Sequence, residues 1–174
     1  SIRKNGIYGQ VMAQLKKVES EVFEYQGIKP NPIIEDVDAA AKMGRDNKVD
    51  VVLAVGGGSV IDSAKIVSIS IPVDHSGWDF MKGNKSPNKA VPLVAVLTLA
   101  ATGTEMNRFA VVQKDATKEK IGTGWPVTYP KESFLDPAYT SSVNRDYTGY
   151  GVADLTAHCL EAWFGEGEAS LSDR

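Results

Sequence analysis

Apolar residues along this chain follow two different periods, and their alternation predicts the fold class. The valine-rich run from Val49 to Val55 is typical of a strand that is buried on both faces of a sheet. Residues 6–18, 34–47 and 59–69 instead carry apolar side chains at helical spacing. Strands and helices that alternate in this way are expected in an α/β domain with a parallel sheet.

The rest of the chain adds shorter elements and changes character near its end. Short strands are predicted at residues 21–25, 91–97 and 133–135, and an antiparallel hairpin is predicted from 109–113 and 118–122. From Ser141 onward the pattern is helical, with a break expected around Gly149 and Gly151. This shift in composition predicts a domain boundary near Tyr139, so that residues 1–139 form an α/β domain and residues 140–174 begin a helical domain.

A long irregular connection, residues 71–90, follows the helix predicted at 59–69. A connection of this length often forms the wall or lid of a site. Alternatively, it is a surface excursion that Trp78 packs onto the domain, and the sequence leaves both readings open. His75 stands beside Asp74 in this loop, and we expect a solvated side chain there rather than a ligand.

Three glycines, Gly56 to Gly58, join the valine-rich strand to a helix that Ser59 is expected to cap. Glycines let the backbone approach a bound group closely, and the dipole of the following helix favours an anion at the same place. Strand, glycine turn and helix together therefore indicate a phosphate or pyrophosphate site. A tight turn that binds no ligand is the alternative.

A second polar cluster, residues 98–107, follows the next predicted strand. In open α/β sheets, ligands bind at the carboxyl ends of the strands, where this cluster would lie. Its threonines, which include Thr98, Thr102 and Thr104, could donate hydrogen bonds to phosphate or ribose oxygens. An ordinary polar loop with a helix cap at Thr102 or Thr104 is equally consistent with the pattern.

Asp154 and His158 stand four residues apart in the last predicted helix and therefore share one of its faces. A carboxylate oxygen and an imidazole nitrogen at this spacing can bind one divalent transition-metal ion. An ordinary surface pair is the alternative. Cys159 belongs to an apolar stripe beside the pair, and we expect it to be a small core residue. Any further ligands would have to come from outside these 174 residues, because the other histidine, His75, is far upstream.

Composition narrows the classes of partner. The net charge of −3 gives no basic surface for nucleic acid, and no apolar run approaches the roughly 20 residues of a membrane span. A single cysteine excludes an internal disulfide framework and suits a reducing cytoplasm. We therefore expect a cytoplasmic protein whose partner is a small molecule. The beginning at Ser1 and the end at Arg174 lead us to expect a piece of a longer protein.

Four stretches resemble, in the same order, segments of the iron-containing (group III) alcohol dehydrogenases, in their NADPH-dependent butanol dehydrogenase-like branch. The matching stretches are residues 56–65, 97–107, 135–137 and 151–161. Residues 1–6 resemble the segment just after the first strand of that family. The resemblance implies a truncated form of a dehydroquinate synthase-like architecture. Its nucleotide-binding α/β domain would lack the first strand and would be followed by the start of an all-α metal-binding domain.

The resemblance also implies roles for particular residues. The cofactor, NADP or NAD, would be bound by Gly57, Gly58, Ser59, Asp62, Thr98, Thr102 and Lys120. The glycines and Ser59 would hold the pyrophosphate, while Asp62 and the threonines would lie near the nicotinamide. A divalent metal, Fe²⁺ or Zn²⁺, would be bound by Asp154 and His158, together with two histidines that these 174 residues do not contain.

The implied function is hydride transfer between NAD(P)(H) and a primary alcohol or aldehyde such as butanol or butyraldehyde, by a metal-dependent enzyme that forms a homodimer. Two alternatives remain at this point. Glycerol dehydrogenases and dehydroquinate synthases share the glycine turn and a metal, so polyol oxidation is one of them. The other is a truncated, non-catalytic nucleotide-binding chain. With half of the metal ligands missing, the 174 residues alone are expected to be inactive.

Overall fold

The computed structural model describes residues 2–165, and Ser1 and the predicted helical region beyond Gly165 lie outside the described residues. The helices are α1 (Ile7–Lys17), α2 (Ile34–Asp46), α3 (Gly58–Ser70), α4 (Trp78–Met81) and α5 (Arg145–Phe164). The strands are β1 (Val52–Gly56), β2 (Leu93–Leu97), β3 (Phe109–Lys114), β4 (Glu119–Gly124) and β5 (Glu132–Phe134). Three short 3₁₀ helices, Thr104–Met106, Pro126–Thr128 and Pro137–Ser142, complete the order.

The strands form two separate sheets. A parallel sheet has the order β1-β2-β5, and β3 and β4 form an antiparallel hairpin. The parallel register places Gly56 opposite Leu97, so β1 and β2 end side by side. The predicted α/β class, the parallel sheet and the hairpin are confirmed.

Helix α3 lies at the centre of the fold because apolar side chains surround it. Ile61 and Ala64 pack with residues of β1 and β2. Further along the helix, Ile66 and Ile69 join a second cluster with residues of α2 and β3. Burying an isoleucine side chain of this kind contributes roughly 1.5–3 kcal/mol. Packing on these sides fixes the helix, and with it the position of the glycine turn at its N-terminus.

The connection at residues 71–90 is packed onto the domain. Trp78 and Phe80 are buried in the cluster around α2 and α3, and α4 forms around them. Asp38 accepts hydrogen bonds from the backbone N–H of Gly77 and the hydroxyl of Ser76. The structure therefore shows the packed excursion, in which Trp78 is the anchor.

The strand predicted at Glu21–Tyr25 is wrong, since these residues form no strand in the structure. They line a groove of about 960 Å³ together with residues of α1 and β1. Within the described chain β1 is the edge of the parallel sheet, and β2 is its only neighbour. A strand exists only through its hydrogen-bonded partner, and no described segment lies in position to pair with residues 21–25.

Helix α5 differs from the other long helices because none of its described residues is buried. Its apolar side chains, among them Leu155 and Trp163, are exposed. The core position expected for Cys159 is therefore wrong, since its thiol is also exposed. The break expected at Gly149 and Gly151 is wrong as well, because α5 runs through both glycines. Among residues 2–165, no helix combines the length and apolar character needed to cross a membrane.

Candidate cofactor and metal site

The two stretches predicted to bind the cofactor meet at one edge of the parallel sheet. The backbone N–H of Thr98 donates to the carbonyl of Gly56 at 3.0 Å, so the loop after β2 begins directly beside the glycine turn after β1. This edge is formed by the carboxyl ends of parallel strands, where open α/β sheets bind ligands.

The glycine turn and the following loop are in close contact. A Cβ added at Gly58 would lie 2.8 Å from Thr102 Oγ1, and one at Gly57 would lie 3.3 Å from Leu99 Cβ. Only glycine therefore leaves this approach undisturbed. The N–H groups of Gly58 and Ser59 lie at this turn, ahead of the first bond of α3, in which the N–H of Val60 donates to the carbonyl of Gly57 at 3.0 Å. Such a cradle fits the pyrophosphate of a dinucleotide, because it offers N–H donors, a helix N-terminus and a hydroxyl.

Ser59 is placed differently from the prediction. The N-cap of α3 is Gly57, and Ser59 lies inside the first turn. The sequence pattern could not distinguish the two, because glycine and serine both occupy this position often. The hydroxyl of Ser59 accepts a hydrogen bond from the backbone N–H of Asn31 at 3.3 Å.

Asn31 also connects Lys120 to this end of the sheet. The Nζ of Lys120 donates to Oδ1 of Asn31 at 2.9 Å, which brings the exposed lysine of β4 toward the glycine turn. Asn31 has a φ of 62°, a left-handed conformation that asparagine adopts more readily than most residues. Sequence reasoning missed Asn31, and the one available signal was an Asn-Pro pair in a loop.

The carboxylate of Asp62 is hydrogen-bonded to other residues of the chain. It accepts hydrogen bonds from the hydroxyl of Thr104 at 2.5 Å and from the backbone N–H of Val111 at 2.9 Å. It lies one turn into α3 and ties this helix to the segment that runs from β2 into β3. The threonine caps considered at residues 102 and 104 do not form, since Gly103 is the N-cap of the short 3₁₀ helix there.

Lys65 is fully buried, which the sequence did not reveal. Burial lowers the pKa of its ammonium from 10.5 to about 8, and the nearby carboxylates of Asp62 and Glu105 limit the decrease. Its position in the helical pattern gave no indication of burial, because lysine is almost never fully buried without partners.

Asp154 and His158 lie on one face of α5, as predicted, with 3.8 Å between Asp154 Oδ1 and His158 Nε2. Both side chains are more than half exposed, and Glu161 Oε2 lies 3.7 Å from His158 Nδ1. Oxygen and imidazole donors at this spacing fit part of a site for a divalent transition ion. No group of three or more potential metal ligands forms a site within residues 2–165.

His75 takes no part in either site. Its Nδ1 lies 2.9 Å from the carbonyl oxygen of Ser76, and its ring meets that of Phe80 edge-on. The side chain is only 20% exposed and belongs to the packed connection around α4, so the solvated position expected for it is wrong. The expectation that it is no ligand stays a prediction.

Comparisons with known proteins place the chain in a family. The family described as "Iron-containing alcohol dehydrogenase" matches residues 1–137. The chain is 42% identical over 164 residues to the probable NADH-dependent butanol dehydrogenase 1 of Bacillus subtilis, an alignment that covers 94% of this chain and 42% of that protein. It is also 35% identical over 178 residues to the NADPH-dependent aldehyde reductase YqhD of Escherichia coli, covering 100% of this chain and 46% of the reductase.

A solved structure shows the same fold. The crystal structure of NADH-dependent butanol dehydrogenase A from Thermotoga maritima superposes with a TM-score of 0.94 at 42% identity, and the match covers 99% of this chain and 43% of that chain. This chain thus spans less than half the length of the relatives that it matches. With the glycine turn (residues 56–58) and the threonine loop (residues 98–103) already together at the edge of the sheet, these matches establish that the chain belongs to the iron-containing alcohol dehydrogenase family.

Proposed function

We propose that the complete protein to which this chain belongs is a metal-dependent oxidoreductase. It transfers a hydride between NAD(P)(H) and a primary alcohol or aldehyde such as butanol or butyraldehyde. The observation that carries this proposal is the contact between Gly58 and Thr102, which joins the glycine turn to the threonine loop in a chain of this family. Relatives named butanol dehydrogenases and aldehyde reductase support the substrate class.

In this proposal the cofactor lies across the carboxyl edge of the parallel sheet. The backbone at Gly57, Gly58 and Ser59 binds the pyrophosphate, because the N–H groups at the start of α3 point there. Thr98 and Thr102 line the ribose and nicotinamide side. Lys120, held by Asn31, adds a positive charge near the phosphates. The nicotinamide, when bound, supplies the hydride chemistry.

We keep Asp62 among the proposed cofactor residues because it belongs to residues 56–65, which resemble the cofactor-binding segment of the family. Because both carboxylate oxygens accept hydrogen bonds from the chain, we propose that it acts by fixing Thr104 and β3 beside the nicotinamide. The hydrogen bonds that hold Asp62 in place are thus a part of the site's scaffold.

Asp154 and His158 would hold the metal, Fe²⁺ or Zn²⁺, with further ligands from outside this chain. Such an ion, when bound, supplies Lewis-acid polarisation of the substrate oxygen. The two side chains are exposed on α5 and therefore accessible to an ion and to the remaining ligands. A homodimer and a cytoplasmic location stay predictions for the complete protein, as does the domain boundary near Tyr139.

The choice of nicotinamide cofactor follows the named relatives. The butanol dehydrogenases reported above are named as NADH-dependent and the aldehyde reductase as NADPH-dependent. We therefore propose NADH as the first cofactor to test and NADPH as the second, although the sequence resemblance pointed to an NADPH-dependent branch. Glycerol-type polyol oxidation is not favoured by these relatives.

An activity assay of the complete protein tests the proposal. We expect oxidation of NADH or NADPH with butyraldehyde after loading with Fe²⁺ or Zn²⁺, and weaker activity with glycerol in the reverse direction. Asp154→Ala should lose both the bound metal and turnover, because it removes one of the two metal ligands that this chain would supply. Full turnover by metal-free Asp154→Ala would contradict the proposal, and a complete protein without any activity would favour a non-catalytic nucleotide-binding chain.

The groove beside β1 offers a place for the family's first strand, which the sequence resemblance expects this chain to lack. We propose that this strand, in the complete protein, lies between β1 and residues 21–25. Two features support this: β1 is a sheet edge in the described chain, and Leu53 and Val55 line the groove. Alternate residues of a strand direct their N–H groups to opposite sides. The Leu53 and Val55 amides should therefore exchange hydrogen slowly in the complete protein and rapidly in the 174-residue chain, and equal rates would contradict the proposal.

A further inference from the structure

Lys65 makes an unusual set of contacts for a lysine with no exposed surface. Its Nζ donates to the carbonyl and the hydroxyl of Thr104, at 2.6 and 2.7 Å. The carbonyl of Phe109, at 2.7 Å, and Oδ1 of Asn107, at 3.1 Å, are also within hydrogen-bond distance, so the three N–H groups of the ammonium are shared among four oxygens. All four oxygens belong to residues 104–109, so one buried ammonium gathers the whole segment between the threonine loop and β3.

The same segment is tied to α3 a second time. The hydroxyl of Thr104 accepts from Lys65 and donates to Asp62, which is one helical turn nearer the glycine turn. Asn107, besides accepting from Lys65, donates from Nδ2 to the carbonyl of Gly103 at 3.0 Å. These bonds connect the buried ammonium to Gly103, which directly follows Thr102.

The geometry determines where Thr102 lies. Gly103 adopts a left-handed φ of 63° and turns the chain between Thr102 and the short helix that begins at Thr104. On the other side of that turn, Thr102 stands against Gly58, where a Cβ would come within 2.8 Å of its hydroxyl oxygen. The position of Thr102 over the glycine turn thus depends on the anchoring of residues 103–109.

We infer that Lys65 is a positioning residue for the cofactor site, whose buried ammonium holds residues 103–109 against α3 and thereby keeps Thr102 over Gly58. This inference rests on the proposed function for its link to the cofactor. Lys65 itself touches no cofactor, because its donors are all directed at the chain. A buried hydrogen-bond acceptor that loses its donor is costly, and charge-assisted bonds are the stronger ones.

The complete protein tests this with three variants. Lys65→Met keeps much of the volume but removes every donor. Thr104→Val removes the hydroxyl that joins Lys65 to Asp62 and serves if the first variant does not fold. Ile69→Ala is the matched control, because Ile69 is fully buried on the same helix and its truncation destabilises the core without reaching the loop. The measurements are the NADH dissociation constant, the melting temperature and amide hydrogen exchange at Met106 and Phe109.

We expect Lys65→Met and Thr104→Val to raise the NADH dissociation constant by about tenfold and to speed exchange at the two amides. Ile69→Ala should lower the melting temperature and leave the dissociation constant unchanged. A wild-type dissociation constant in Lys65→Met, or an equal rise in Ile69→Ala, would overturn the inference. If the wild type binds neither NADH nor NADPH, the proposed function fails. In that case the exchange rates still test whether Lys65 holds residues 103–109 in place. Unchanged rates in Lys65→Met would show that it does not.

Discussion

Asp62 and Asp154 are both helical aspartates in stretches that the sequence marks for chemistry, yet their surroundings differ. Asp62 is held by Thr104 and Val111 at hydrogen-bond distance. Asp154 is exposed on α5 and lies 3.8 Å from His158, the partner with which it would share a metal. Around α3, the side chains of Asp62 and Lys65 find hydrogen-bond partners within the chain. Helix α5 instead presents potential ligands and apolar side chains that find no burial among the described residues. In the proposed site, the cofactor side would be formed by contacts within this chain, and the metal side would need further ligands from outside it.

The largest effect on stability is expected at Gly124, the last residue of β4, where the chain is closely packed. A Cβ at Gly124 would lie against the backbone carbonyl of Arg108 and 2.9 Å from the Cα of Phe109. Because backbone cannot move aside cheaply, Gly124→Ala should lower the free energy of unfolding by about 2–3 kcal/mol. Denaturant unfolding measures this. Gly122→Ala on the same strand meets only Val111 Cγ2 at an ordinary 3.4 Å and should be close to neutral. A neutral Gly124→Ala would show that the hairpin is less tightly packed than described.

The contact between Gly58 and Thr102 gives the next largest effect. Gly58→Ala should displace the Thr102 side chain and raise the NADH dissociation constant of the complete protein by about tenfold, or about 1.4 kcal/mol. A fluorescence titration with NADH measures this change. Unchanged affinity would mean that the cofactor does not use the close approach at the glycine turn.

The buried Lys65 predicts that the stability of the region around α3 depends on pH. Because its folded-state pKa, about 8, is below the ordinary value of 10.5, the unfolded chain binds more protons between these two pH values. The contribution of Lys65 to the free energy of unfolding should therefore rise with pH in this window, by about 1 kcal/mol per pH unit. Unfolding of wild type and Lys65→Met, measured from about pH 8 to pH 10.5, isolates the contribution of Lys65. Parallel pH profiles for the two proteins would contradict the lowered pKa.

The smallest effect is expected in α5. A Cβ at Gly149 would meet no atom within 4 Å, and this glycine lies inside a helix. Gly149→Ala should therefore stabilise the protein by about 0.5–1 kcal/mol, because alanine loses less backbone freedom on folding. The melting temperature of the 174-residue chain would show this as a small increase. A clear decrease would mean that α5 is packed closely around this glycine.

The sequence was sufficient where local pattern and packing agree. The valine-rich strand, the three glycines and the hairpin around Asp115 each carry a periodicity or a turn residue that specifies one structure. Residues 21–25 were misassigned because alternation alone does not supply a strand partner. The apolar stripe that includes Cys159 was assigned to a core because no sequence pattern shows which surface covers a helix.

The long-range contacts of the candidate site were beyond the sequence for a different reason. The bonds from Lys65 to Thr104 and from Lys120 to Asn31 join residues that are 39 and 89 positions apart. Only the folded chain shows that a lysine in a helical pattern is wholly buried, or that a loop asparagine meets two of the predicted cofactor residues. The glycine turn could be found locally, but the side chains that hold it could not.

In the proposed site, the cofactor and the metal bind to separate parts of this chain, and an NADH titration of a metal-ligand variant tests this separation. The NADH dissociation constant is measured for the complete protein carrying Asp154→Ala, with wild type as the reference and metal content determined in both. We expect the variant to lose its metal and to keep the wild-type affinity for NADH, because the glycine turn and the threonine loop are untouched. Loss of NADH affinity together with the metal would contradict it.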